Sequence, residues 1–132
     1  MNKFYTKIVI LFLTSTLFIN ASTSNLNHSK ISILVQQQQY LAKEIPKDYK
    51  NSNTKKKMHN NISKFDKNHL QLLQYKKNTK LINQKLKEIS KVWGITKDLT
   101  KSKELPKIIQ SAMGDISKIM KEVRTLYKKI SK

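Results

Sequence analysis

The stretch Leu105–Ile130, LPKIIQSAMGDISKIMKEVRTLYKKI, decides the fold. Ile109, Ala112 or Met113, Ile116, Met120, Val123, Tyr127 and Ile130 recur at steps of three and four. That spacing lays apolar side chains along one stripe of an α-helix, sustained here for three heptads. Pro106 suits a first helical turn, where its missing N–H costs nothing, and Ser102 stands ahead of it as expected before a helix start.

The same step recurs upstream. Over Thr79–Leu99 it is carried by Ile82, Leu86, Ile89 and Trp93, with Gly94 expected to mark a kink or an early stop. Over Ser52–Tyr75 it is carried by Met58, Ile62, Phe65, His69 and Leu72. The link Lys76–Asn78 between these two is short, which makes them antiparallel neighbours. A first stretch, Leu26–Ile45, places Leu26, Ile33, Leu34, Leu41 and Ile45 on one face, together with Lys30 and Gln37. Pro46 is expected to end it. Lys47–Lys57, KDYKNSNTKKK, has no period and reads as a loop or a frayed helix start. Four amphipathic stretches with short links predict an all-α, up-down antiparallel four-helix bundle.

Composition agrees. The 132 residues hold only two Gly, and a β-sandwich or a dinucleotide-binding fold uses turn glycines more freely. Met1–Ala21 reads as a secretory signal peptide: Lys3 and Lys7, the apolar run Ile8–Ile19, then Ile19 and Ala21 at the −3 and −1 positions of a cleavage site. The run is shorter than the roughly 20 residues needed to span a bilayer. An uncleaved N-terminal helix acting as a membrane anchor is the alternative. The expected domain is therefore 22–132, periplasmic or secreted. Removing residues 1–21 leaves 25 basic residues against 8 acidic ones, a net charge of +17. With no cysteine, the domain must hold together by packing alone, without disulfides or attached c-type haem.

Catalytic constellations are missing: there is no G-x-S-x-G, H-E-x-x-H, P-loop or G-x-G-x-x-G. No glutamate is followed three residues later by histidine, as a di-iron bundle would need. His28 falls on the first stretch and His59 and His69 on the second, ten residues apart, and His69 reads as a core or interface histidine. No enzymatic activity, metal or cofactor is expected. The lysines and many asparagines read mainly as solvated faces, although such charge draws a protein to polyanions. Arg124 is the single arginine, so the guanine- and phosphate-forking contacts of nucleic-acid modules are not expected, and nucleic acid is not expected as a partner. Contact with anionic lipid headgroups or envelope polymers is permitted by the charge. The run Gln36–Gln39 reads either as a low-complexity tract or as a helix segment turning only Gln37 inward. Lys30 and Gln37 on an apolar face need partners, which makes them the candidate ligand-binding residues, near a wet cavity or near the bundle's end.

The order of these features resembles the N-terminal sensor domain of type IV pili methyl-accepting chemotaxis transducers (PilJ-type), related to the periplasmic domain of NarX-like nitrate/nitrite sensor kinases. Gln39-Tyr40-Leu41-Ala42-Lys43-Glu44 is similar to the family's Gln-Arg-Met-Ala-Lys-Glu. Ile62-Ser63-Lys64-Phe65-Asp66 resembles its second helix, and Lys91-Val92-Trp93 resembles its Leu-Trp before a helix break. MKEVRTLY, Met120 to Tyr127, resembles its closing Met-Asn-x-Ala-Val-x-Leu-Tyr. The resemblance implies a four-helix sensor bundle that binds a small ligand, in some members a small anion held by an arginine from each subunit of a dimer. Val35 stands at that arginine's position, Gln36 at the methionine's, and Ile33 and Tyr40 at the other arginine positions. Nitrate binding is therefore not carried over.

Sensor relatives continue into a second membrane span and a signalling module, whereas this sequence ends soon after the fourth stretch. Two functions are expected from different classes. The first is an exported, non-catalytic, sensor-like bundle that binds a small ligand, pairs with a membrane sensor kinase or chemoreceptor, or forms a homodimer. The second is a lysine-rich helical protein that binds anionic cell-envelope or lipid surfaces.

Overall fold

The structure, a computed structural model, describes residues 26–131. The signal-peptide reading of residues 1–21 lies outside them. Four helices follow in order: α1 (His28–Lys50), α2 (Lys55–Leu73), α3 (Lys80–Leu99) and α4 (Pro106–Ile130). A short 3-10 turn, Ser52–Thr54, joins the first two. Each helix packs on the next, and α4 returns to α1, closing an up-down antiparallel bundle. Cross-bundle pairs show the antiparallel sense: Lys50 meets Gln110, and Gln39 meets Arg124. Among the described residues, no helix is long and apolar enough to cross a membrane.

The starts of α1 and α3 follow from short polar side chains. Asn27 Oδ1 accepts from the Lys30 amide (2.9 Å), and Thr79 Oγ1 accepts from the Ile82 amide (3.2 Å), each satisfying an N–H that a helix leaves free. Helix α4 differs. Pro106 occupies its first turn as expected, but Leu105 is its cap and offers no side-chain bond. Ser102 lies in the loop, where its Oγ accepts only from the Glu104 amide, at 3.5 Å. Tyr49 from the end of α1 secures this corner. Its hydroxyl donates to the Ser102 carbonyl and accepts from the Leu105 amide (3.1 Å).

Three expectations about helix ends change. Helix α1 does not stop at Pro46 but runs four residues past it, to Lys50. The proline ring denies the Ala42 carbonyl its usual N–H partner. Ala42, Ile45 and Pro46 are all buried, and Lys47 and Lys50 sit in the last turn, where cations favour the helix dipole. Burial and charge together outweigh the lost bond. The unpatterned Lys47–Lys57 is consequently mostly helical, its loop confined to Asn51–Thr54. Gly94 neither kinks nor ends α3, which continues five residues beyond it with Gly94 on the exposed side.

The core-facing side of α1 is also turned from the expected one. Its buried residues are Ile31, Leu34, Val35, Gln38, Leu41, Ala42, Ile45, Pro46 and Asp48, while Ile33 is 52% exposed. The other three helices bury most of the residues their periodicity names, including Phe65, Leu72, Ile82, Ile89, Ile116 and Met120, but Ile130 at the end of α4 is 37% exposed. Ile62 is only half-buried, and Asn61 beside it is buried in its place. Between α2 and α3 stand Phe65 and Trp93, ring centroids 4.3 Å apart.

Candidate functional site

The polar groups of the bundle's interior fall into satisfied pairs and a few orphans. Asp48 is buried, accepts from Asn61 Nδ2 (2.8 Å) and lies 3.6 Å from Lys57 Nζ. Trp93 Nε1 donates to Asp66 Oδ1 (2.6 Å), whose second oxygen takes Lys97 Nζ (2.9 Å). Gln38 is fully buried and donates to the Phe65 carbonyl (3.1 Å), leaving its Oε1 without a protein partner.

His69 is a core histidine, as its place in the seam predicts. Its Nε2 lies 2.6 Å from Ser90 Oγ, and Ser90 Oγ donates onward to the Leu86 carbonyl (3.1 Å). The hydroxyl's one proton is thus committed, so Nε2 is the donor and Nδ1 carries the lone pair. Nδ1 is buried with no partner, and the Phe65 ring stacks nearby. Burial pushes the imidazole pKa down to about 4, with the Asp66 carboxylate pulling weakly the other way. At the opposite end from Tyr49, Tyr127 donates to Asn78 Oδ1 (2.7 Å), and burial raises its phenol above the usual range. Among the described residues, no cluster of His, Asp and Glu could hold a metal ion.

Lys30 and Gln37 do not come together in a cavity. Both are exposed, because α1 is turned so that Gln38 rather than Gln37 enters the core. Gln37 Oε1 instead accepts from Asn68 Nδ2 on the surface (3.1 Å). Val35, at the position of the family's anion-binding arginine, is buried in the bundle's own core, and Ile33 and Tyr40 point to solvent.

The surface is where charge is organised, and the four grooves between neighbouring helices are not alike. The α1–α2 groove holds Glu44 and Asp48, which share Lys57 (3.2 and 3.6 Å) and hold its ammonium pKa up. In the α2–α3 groove, Asp66 neutralises Lys97. In the α3–α4 groove, Lys85 bonds Glu122 (2.7 Å), which raises its pKa, and Glu88 lies at 4.0 Å. Among the described residues, the α1–α4 groove has no such acid. Its cross-links run to neutral acceptors: Lys50 Nζ to Gln110 Oε1 (2.9 Å) and Arg124 Nη1 to Gln39 Oε1 (3.4 Å).

This fourth groove opens into a cleft of about 440 Å³. Ala42, Pro46, Met113 and Gly114 form its floor, and Lys43, Lys47, Lys50, Lys118 and Lys121 stand around it. A Cβ added at Gly114 would meet nothing within 4 Å, so the floor is open above it. The nearest acid in sequence, Asp115, is not part of the lining. It sits about 20° around α4 from Glu122, towards the α3 side. The lone ion pair among these lysines is Lys47 with Glu44 (3.6 Å), which Glu44 shares with Lys57.

Little of this was available from sequence. The lysines are spread over every helix, and only the identity of each helix's neighbours shows which groove lacks carboxylates. One signal was present: i, i+4 and i+7 spacing puts Lys43, Lys47 and Lys50 on one side of a helix, provided the helix continues through Pro46. Compared with protein-family models, curated proteins and solved structures, the chain finds no match.

Proposed function

We propose that this protein is a non-catalytic binding module that attaches to anionic material of the cell envelope through its α1–α4 face. The observation that carries the reading is the asymmetry of the grooves: three contain carboxylates that take up lysines, and the fourth is lined by five lysines and no acid. Lysine suits such a role, since an ammonium is a point charge that holds anions without demanding a fixed geometry. Export, inferred from Met1–Ala21, would put this face in contact with envelope polymers and lipid headgroups. The sensor-like reading draws support from the resemblance and from the four-helix fold. It needs a pocket at Lys30 and Gln37, where there are instead two exposed side chains.

Two charge-matched variants test the site. One replaces Lys43, Lys47, Lys118 and Lys121 by glutamine. The other replaces Lys67, Lys77, Lys87 and Lys91, exposed lysines outside the cleft. Binding to phosphatidylglycerol vesicles and to phosphocellulose should fall far more in the first. At about 1 kcal/mol per lysine near an anionic surface, four lysines are worth on the order of a thousandfold. Equal losses would make the attraction a property of net charge and remove the α1–α4 face from the account.

A further inference from the structure

The cleft does not end at Lys50. A second cavity of about 460 Å³ opens where the α1–α2 and α3–α4 connections meet, and Lys50 lines both. Its cationic lining adds Lys55, Lys101 and Lys103, alongside the His59, Tyr49 and Met58 side chains. Its carboxylate, Asp48, is buried and already engaged by Asn61 and Lys57. Lys101 keeps an exposed partner, Asp98 (3.5 Å), that does not line the cavity. Apart from the Lys47–Glu44 and Lys101–Asp98 pairs, lysines unpaired among the described residues follow one another along the α1–α4 cleft, past Lys50 and over the end of the bundle.

We infer that this path is a track for one extended polyanionic chain with a repeating anionic group, lying in the cleft and turning past Lys50 into the end cavity. The inference rests on the anion-binding reading above and specifies its occupant. Shape argues for a chain, because a flat headgroup layer cannot enter a cleft between two packed helices. Spacing argues for a repeating charge. Lys43, Lys47 and Lys50 rise by about 6 and 4.5 Å along α1, and Lys118 and Lys121 face them from α4. No arginine or aromatic side chain lines the cleft itself, Arg124 lying further along the groove against Gln39, which argues for a chain read by charge alone rather than by base stacking.

The test compares long-chain inorganic polyphosphate, triphosphate, orthophosphate and phosphatidylglycerol vesicles, with the full chain at fixed ionic strength. Long polyphosphate should bind at least tenfold more tightly than triphosphate. Its log affinity should fall with log salt at a slope of roughly −6, as expected for eight lysines on a flexible chain. Lys50→Gln should weaken long polyphosphate more than triphosphate, because it breaks the junction. Gly114→Leu fills the cleft floor without changing charge, and should cost long polyphosphate about tenfold while the Trp93 fluorescence of the folded state is retained. Triphosphate binding as tightly as the long chain would replace the track by a small-anion site. Vesicle binding without polyphosphate binding would overturn the track while keeping the anionic-surface function. Binding to none of the four would end both. Unchanged polyphosphate affinity in Gly114→Leu would move the chain out of the cleft.

Discussion

His69 shows how one side chain sets a property of the whole fold. Its Nε2 proton is committed to Ser90, and protonating Nδ1 would place a charge beside the Phe65 ring with no acceptor. The folded state therefore holds the imidazole neutral down to about pH 4, while the unfolded chain takes up a proton near pH 6.5. Because the folded pKa is the lower one, this group's contribution is fully present above pH 6.5 and is lost as pH falls towards 4. The loss approaches 1.4 kcal/mol per pH unit, about 3 kcal/mol across the window. Urea unfolding of the wild type should show this fall. His69→Leu should flatten the part between pH 6.5 and 5, since Ser90 keeps its bond to Leu86 without the imidazole. Parallel pH curves for the two proteins would mean that the imidazole is protonated in the native state.

At the scale of elements, the helices illustrate how far burial overrides local preference. Pro46 and Gly94 are both residues that discourage helix, and both sit inside one. Pro46 is retained because its ring and its neighbours Ala42 and Ile45 are buried. Gly94 has no such reason. Its position is exposed, and a Cβ there would touch nothing within 4 Å. Gly94→Ala should therefore stabilise the bundle by about 0.5–1 kcal/mol, chiefly by restricting the unfolded chain. Thermal denaturation checks this as a rise of a few degrees, and a fall would show that Gly94 serves a contact the isolated bundle does not display.

At the scale of the molecule, unbalanced charge is the dominant feature. Among the described residues, five lysines (Lys47, Lys57, Lys85, Lys97 and Lys101) have carboxylate partners, and these pairs are at least partly exposed. Exposed pairs of this kind contribute little. Repulsion among the remaining lysines outweighs them and favours expansion. Raising sodium chloride from 0.01 to 0.15 M shortens the screening length from about 30 to about 8 Å, so the melting temperature should rise. A melting temperature that falls with salt would assign the net electrostatic balance to the ion pairs. The same screening should weaken attachment to polyanions, so salt should stabilise the fold and release the partner together.

What the sequence determined by itself was the period of each helix. The three- and four-residue steps of α2, α3 and α4 place Phe65, Ile82, Ile89, Ile116 and Met120 in the core without knowledge of any neighbour, because an apolar stripe of that width must be buried against something. Helix α1 was less legible. Ile31, Ile33, Leu34 and Val35 crowd its start, and four successive glutamines offer no contrast between inside and outside. Packing against α2 and α4 chose a face about one residue further round, burying Gln38 and leaving Lys30 and Gln37 in solvent. The cleft was decided at the tertiary level alone. A lysine's electrostatic surroundings depend on which helix lies beside it, and a carboxylate within 4 Å in space can be dozens of residues away along the chain. Composition sets how much positive charge the protein carries, and the order of helices around the bundle decides where that charge is left unopposed.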